Sequence, residues 1–125
     1  IALLKNAQLN SLPVFSVCRG FQMMNIFLGG KLKKISGHVA TNHSVYLDFD
    51  QTNKFKCKEV NSFHEWGISQ KALAKDLIIC AYDNDGLIEA ARHKKLKWTG
   101  VMWHPEREKK FKTLDMQIIK KLFKK

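Results

Sequence analysis

An α/β fold with a mostly parallel sheet is predicted by four observations. Ala2, Leu3, Leu4, Ala7 and Leu9 recur roughly on one helical face, and Asn10, Ser11 and Pro13 close that segment. Residues 12–17 then form an apolar run that is continuous rather than alternating, as in a parallel strand covered on both faces. Phe21, Met24, Phe27 and Leu28 follow at helical spacing, and Gly29-Gly30 supply a stop. A last amphipathic segment sets Leu114, Ile118, Ile119, Leu122 and Phe123 against a lysine face, with Lys124 and Lys125 suiting its C-terminal dipole. Together these give three layers, an open sheet with helices on both faces.

The chain has 125 residues, 45% of them apolar, enough for one domain with a sizeable core. Its formal charge is +11, yet of 22 basic residues only Arg19, Arg92 and Arg107 are arginine, and the lysines are dispersed. That pattern is a solvated surface, compatible with an anionic substrate and without the motifs of a nucleic-acid site. No apolar run reaches the ~18–20 residues that span a bilayer, and no signal-peptide pattern opens the sequence, so no membrane partner and a cytoplasmic location are expected. Cys18, Cys57 and Cys80 are odd in number and widely spaced, which suits unpaired thiols in a reducing compartment. The chain opens at Ile1, within what reads as a helix, as a fragment would.

The apolar run at 12–17 ends on Cys18, and a helix is expected to start near Phe21. A strand, a tight turn carrying the cysteine and a helix would lift its sulfur above the end of the sheet, among the first N–H groups of the helix. That setting favours a thiolate, and it puts the Arg19 N–H where a tetrahedral oxyanion would form. Gly20 is expected to permit the sharp turn. A buried, inert thiol is the competing reading of Cys18.

Thr99 to Glu106 is the second informative stretch, a short strand running into His104-Pro105-Glu106. Residues i and i+2 of an extended backbone face one side, so His104 and Glu106 can serve one site, with Pro105 fixing φ between them. A thiol nucleophile needs a base and the base an orienting partner. Glu106 also reads as a carboxylate favoured at the start of the next helix. Between the two stretches, His38 and His43 have neither helical nor strand ligand spacing and no third ligand nearby in sequence, so no metal is expected. Val45, Leu47 and Phe49 alternate, and residues 55–64 read as a small antiparallel excursion beside the main sheet. Residues 77–82 form an apolar strand, and Asp83-Asn84-Asp85-Gly86 a hairpin turn rather than a calcium loop.

Cys18-Arg19-Gly20-Phe21-Gln22 resembles the Cys-x-Gly-x-Gln signature of class I glutamine amidotransferases, in wording most like their hydrolase branch, which includes the γ-glutamyl-γ-aminobutyrate hydrolases. Ser16 stands where such turns usually carry Gly. Asn61-Ser62-Phe63-His64 resembles the family's Asn-Ser-x-His-His-Gln segment, departing from it at Glu65 and Trp66. Asp85-Gly86-Leu87-Ile88-Glu89-Ala90 and Gly100-Val101-Met102-Trp103-His104-Pro105-Glu106 match two further motifs in the family's order, so the resemblance spans residues 12–123.

It implies the flavodoxin-like amidotransferase fold, with residues 1–125 as a single partial domain, its C-terminal portion. The N-terminal strands, and a glycine-rich loop supplying the second oxyanion N–H, would be missing from this chain. The implied activity is hydrolysis of a γ-glutamyl amide through a thioester, without cofactor. Cys18 would be the nucleophile, His104 the proton shuttle, Glu106 its orienting partner and Arg19 the oxyanion donor. Gln22, Asn61, Ser62 and His64 would contact a small-molecule γ-glutamyl substrate. The alternatives are a glutaminase domain feeding ammonia to a synthase partner, and an inactive remnant or binding module; a homo-oligomer is compatible with each.

Overall fold

The computed structural model describes residues 1–36, 41–52 and 54–124. Its elements, in order, are α1 (Ala2–Leu9), β1 (Val14–Val17), α2 (Arg19–Phe27), β2 (Lys33–Lys34), β3 (Thr41–Leu47), β4 (Lys56–Ser62) and β5 (Trp66–Gly67), then a 3-10 turn (Gln70–Ala72), β6 (Leu77–Asp83), β7 (Ile88–His93) and β8 (Trp98–Val101), a second 3-10 turn (Pro105–Arg107) and α3 (Thr113–Leu122). Six strands form one sheet in the order β1-β8-β7-β6-β3-β4, and β2 pairs with β5 in a separate ribbon.

The α/β class and the helices on both faces are as expected. Within this chain, however, the parallel character resides in one pair, β1 with β8, in the register Val14↔Trp98 to Val17↔Val101. The pairs β7 with β8, β6 with β7, β3 with β6 and β3 with β4 are antiparallel. Short connections are the reason: the turn after β6 and the four residues between β7 and β8 can close a hairpin but not a parallel crossover. Residues 55–64 are not an excursion beside the sheet, because β4 is its edge strand. The turn after β6 is built as predicted. Asp83 Oδ1 accepts the N–H groups of Asp85 and Leu87, both at 2.9 Å, and Gly86 takes φ 78°.

Alternation along β8 sorts side chains onto the two faces. Trp98 and Met102 join Phe21, Met24, Ala7 and Ile88 under α1 and α2, whereas Val101 and Trp103 join Val45, Val60, Ala81 and Ile118 under α3. Gly100 is required by a close approach: the Phe21 ring of α2 lies where a β-carbon at this position would project. The ring therefore seats the start of α2 directly on the strand. Among the described residues no helix is long and apolar enough to cross a membrane.

Candidate active site

Cys18 ends β1 and caps α2 with φ 50° and ψ −104°, a left-handed conformation that is strained for a residue bearing a β-carbon. Its N–H continues the ladder to the Val101 carbonyl at 2.7 Å, and its own carbonyl accepts the Gln22 N–H at 3.0 Å, starting the helix. The sharp turn thus falls on Cys18 itself, and α2 begins at Arg19 rather than near Phe21. Gly20 is already helical, and a β-carbon there would meet Ser16 Cβ at 3.6 Å, ordinary contact, so the expected need for glycine is not what the geometry shows.

The helix start does not by itself lower the thiol's pKa. Burial pushes the Cys18 pKa up, and this outweighs the Arg19 N–H hydrogen bond and the Arg107 charge, which pull it down; Glu106 and Glu89 add to the rise. Ionising this thiol would need a neighbouring base.

His104 follows β8, one residue beyond Trp103. Its backbone is gripped from both sides by Asn61 of β4: the His104 N–H donates to Asn61 Oδ1 at 2.8 Å, and Asn61 Nδ2 donates to the His104 carbonyl at 2.9 Å and to Glu108 Oε1 at 3.0 Å. His104 Nδ1 lies 2.7 Å from Glu106 Oε2. A carboxylate accepts, so Nδ1 carries the hydrogen, which in a neutral ring leaves Nε2 with its lone pair. Partial burial works against the Glu106 charge, but the His104 hydrogen bond holds its carboxyl below the ordinary value. The Phe63 ring meets the imidazole edge-on at 5.8 Å, and the Arg107 guanidinium lies over that same ring at 4.2 Å.

Cys18 and His104 share a pocket of about 460 Å³ with Val17, Arg19, Gln22, Phe63, His64, Glu65 and Trp66. Of the predicted site residues, Cys18, Arg19, Gln22, His64 and His104 are thus brought together, with Glu106 behind His104. Asn61 and Ser62 are not on the lining. Asn61 holds the His104 main chain, and Ser62 is fully buried at the end of β4. Gln22 and His64 reach the lining, but both already donate to the Trp66 carbonyl, at 3.1 Å and 2.8 Å. Phe63, Trp66 and Arg107 were missed in the sequence; the signal for them was adjacency to the Asn-Ser and His-Pro-Glu motifs.

His38 lies outside the described residues. His43 does have ligand-type neighbours, contrary to the expectation, because remote segments meet: the ligand atoms of His43, His64 and Glu89 lie within 4.8 Å of one another. His43 Nε2 approaches Glu89 Oε1 at 3.1 Å and His64 Nε2 approaches Oε2 at 3.6 Å, with the carboxylate buried. A cation there would compete with the protons of the two imidazoles.

Comparison with known proteins gives the chain's relatives. The chain is 30% identical over 122 residues to the glutamine amidotransferase-like protein YvdE of Lactococcus lactis, covering 85% of this chain and 51% of that protein. It is 32% identical over 112 residues to the γ-glutamyl-CDP-amidate hydrolase of Campylobacter jejuni, covering 90% of this chain and 50% of that one. The chain thus spans about half the length of these relatives, and synthase components such as carbamoyl phosphate synthase small chains are related too. A glutamine amidotransferase structure from Thermotoga maritima superposes with a TM-score of 0.71 at 16% identity, over 98% of this chain and 51% of that one. Because the Peptidase C26 family model matches residues 1–106, through the elbow, the Asn-Ser segment and the His-Pro-Glu motif, the chain belongs to that class I glutamine amidotransferase-like family.

Proposed function

We propose that the protein carrying this chain hydrolyses a γ-glutamyl amide, with Cys18, His104 and Glu106 as its triad. The observation that carries this reading is the His104–Glu106 contact at 2.7 Å on an imidazole that shares the Cys18 pocket. Glu106 fixes the tautomer in which Nε2 is the base, and the elevated Cys18 pKa makes that base necessary.

Nε2 takes the thiol proton as sulfur attacks the amide carbonyl, and the Arg19 N–H stabilises the oxyanion. Collapse breaks the carbon–nitrogen bond, the His104 proton goes to the leaving amine, and a thioester remains. Water then attacks, giving its proton to His104, and glutamate departs as the proton returns to Cys18. The hydrolase reading is preferred to a synthase-coupled glutaminase because the pocket extends to Glu65 and the half-exposed Trp66, which leaves room for a leaving group larger than ammonia. The three unpaired cysteines suit a cytoplasmic location.

Labelling with an electrophilic glutamine analogue, followed by peptide mapping, tests the assignment. The adduct is expected on Cys18 alone. Cys57 is exposed and will meet any general thiol reagent, whereas burial pushes Cys80 up to about 12 and keeps it a thiol. A glutamine-protectable adduct on Cys57 or Cys80 would refute the triad.

A further inference from the structure

Beneath the pocket lies a group that the proposed chemistry does not use. Glu89 of β7 is fully buried, with His43 of β3 and His64 at its two oxygens. His64 stands between this carboxylate and the pocket wall: Nε2 is 3.6 Å from Glu89 Oε2, and Nδ1 is 2.8 Å from the Trp66 carbonyl. Both neighbours are acceptors, and the Trp66 carbonyl can only take a hydrogen from Nδ1. A rotation of the ring would give up both contacts, so its orientation is determined twice.

The Trp66 carbonyl has a second donor, Gln22 Nε2 at 3.1 Å. Gln22 lies one turn into α2, its N–H bonded to the Cys18 carbonyl. One carbonyl therefore ties the β5 wall of the pocket to the helix that carries the nucleophile. From this we infer that His64 is a positioning residue rather than a substrate contact: anchored by Glu89, it holds the Trp66 carbonyl in place, and through it the Gln22 side chain and the substrate-facing wall. The inference rests on the γ-glutamyl reading only in the choice of substrate for the assay.

Two amide variants separate the nitrogens. In His64→Asn the shorter side chain brings an N–H close to the position of Nδ1, keeping the donor to Trp66 and giving up Glu89. In His64→Gln the longer side chain reaches toward Glu89 in place of Nε2 and gives up Trp66. Steady-state kinetics of the full-length protein on a γ-glutamyl amide should show KM raised roughly tenfold in His64→Gln, the loss expected for a buried hydrogen bond, with kcat nearly unchanged. KM in His64→Asn should stay within about threefold of the wild type, well below that loss.

Equal KM increases in both variants, or a fall in kcat instead, would overturn the inference, as would unaltered KM in His64→Gln. Two-bond 15N spectra of the imidazoles give a reading that needs no turnover: the His64 Nδ1 hydrogen should be present and its signal unchanged by zinc. A proton-free Nδ1, or a zinc-induced shift of both the His43 and His64 signals, would show that the ring is held by something other than these two acceptors. Should the wild type turn over no γ-glutamyl amide, the functional reading fails while the spectra still decide the positioning.

Discussion

Cys18 carries its side chain at φ 50°, and this makes a prediction about stability that runs opposite to activity. Such a conformation costs a residue with a β-carbon about 1–3 kcal/mol, and glycine adopts it almost without cost. Comparing Cys18→Gly with Cys18→Ala isolates that cost, because both variants lack the thiol and differ in the β-carbon. Alanine has the advantage of a less flexible unfolded chain, about 0.4–1 kcal/mol. Taking the middle of the strain range, the glycine variant should be the more stable by about 1 kcal/mol. In a protein of 150–250 residues that corresponds to about 2–4 °C in Tm. Urea unfolding of both variants in the full-length protein, followed by circular dichroism, measures the difference, and both should be inactive. If alanine proves equal or superior at unchanged m-value, the backbone at the nucleophile is not strained and the turn is set by its neighbours.

Two further predictions concern charge. His104→Ala should lose kcat by about 10²–10⁴-fold, the range for a positioned acid–base group, while Glu106→Gln retains measurable turnover because its amide still reaches Nδ1; the double variant should be little worse than His104→Ala, and losses that multiply would separate the pair. The second prediction concerns Glu89. Burial opposes its charge but the adjacent His43 and His64 imidazoles hold its carboxyl below the ordinary 4.5, and burial opposes the His43 charge but Glu89, with Asp83 nearby, raises it above 6.5. A lowered acid stabilises above its unfolded value and a raised base below its own, so both contributions are complete between pH 4.5 and 6.5. The Tm gap between wild type and Glu89→Gln should be widest there, shrinking as pH falls through the folded Glu89 value or rises through that of His43; a gap independent of pH from 3 to 9 would contradict the charge assignment.

Most of the fold could be read in the chain because apolar period and punctuation agree. The continuous run before Cys18, the Asp83 turn and the amphipathic C-terminal helix each carry a local signal that tertiary contacts reinforce. Strand direction was legible only where a local signal exists, as in the continuous run of β1 and the turn after β6; elsewhere connection length decides. In the site, the His104–Glu106 contact was visible because an i, i+2 spacing on an extended backbone is itself geometry. The grip of Asn61 on the His104 main chain was not, because an amide facing a backbone and an amide facing a substrate look the same in sequence. The His43–Glu89–His64 cluster joins three segments by folding alone, and no spacing along the chain could have announced it.

The parallel register of β1 and β8 has a mechanical meaning. Val17 lies opposite Val101, Cys18 follows immediately, and His104 stands three residues farther on, so two strands deliver their side chains at the same end of the sheet. Sliding one strand by a single residue would displace its cargo by about 3.3 Å and send alternate side chains to the wrong face. The ladder bonds from the Val14 N–H to the Lys97 carbonyl at 2.9 Å and from the Cys18 N–H to the Val101 carbonyl at 2.7 Å therefore act as a gauge, fixing how far the sulfur stands from the imidazole. A change at the distant end of either strand can put that gauge out of true without touching any residue of the pocket.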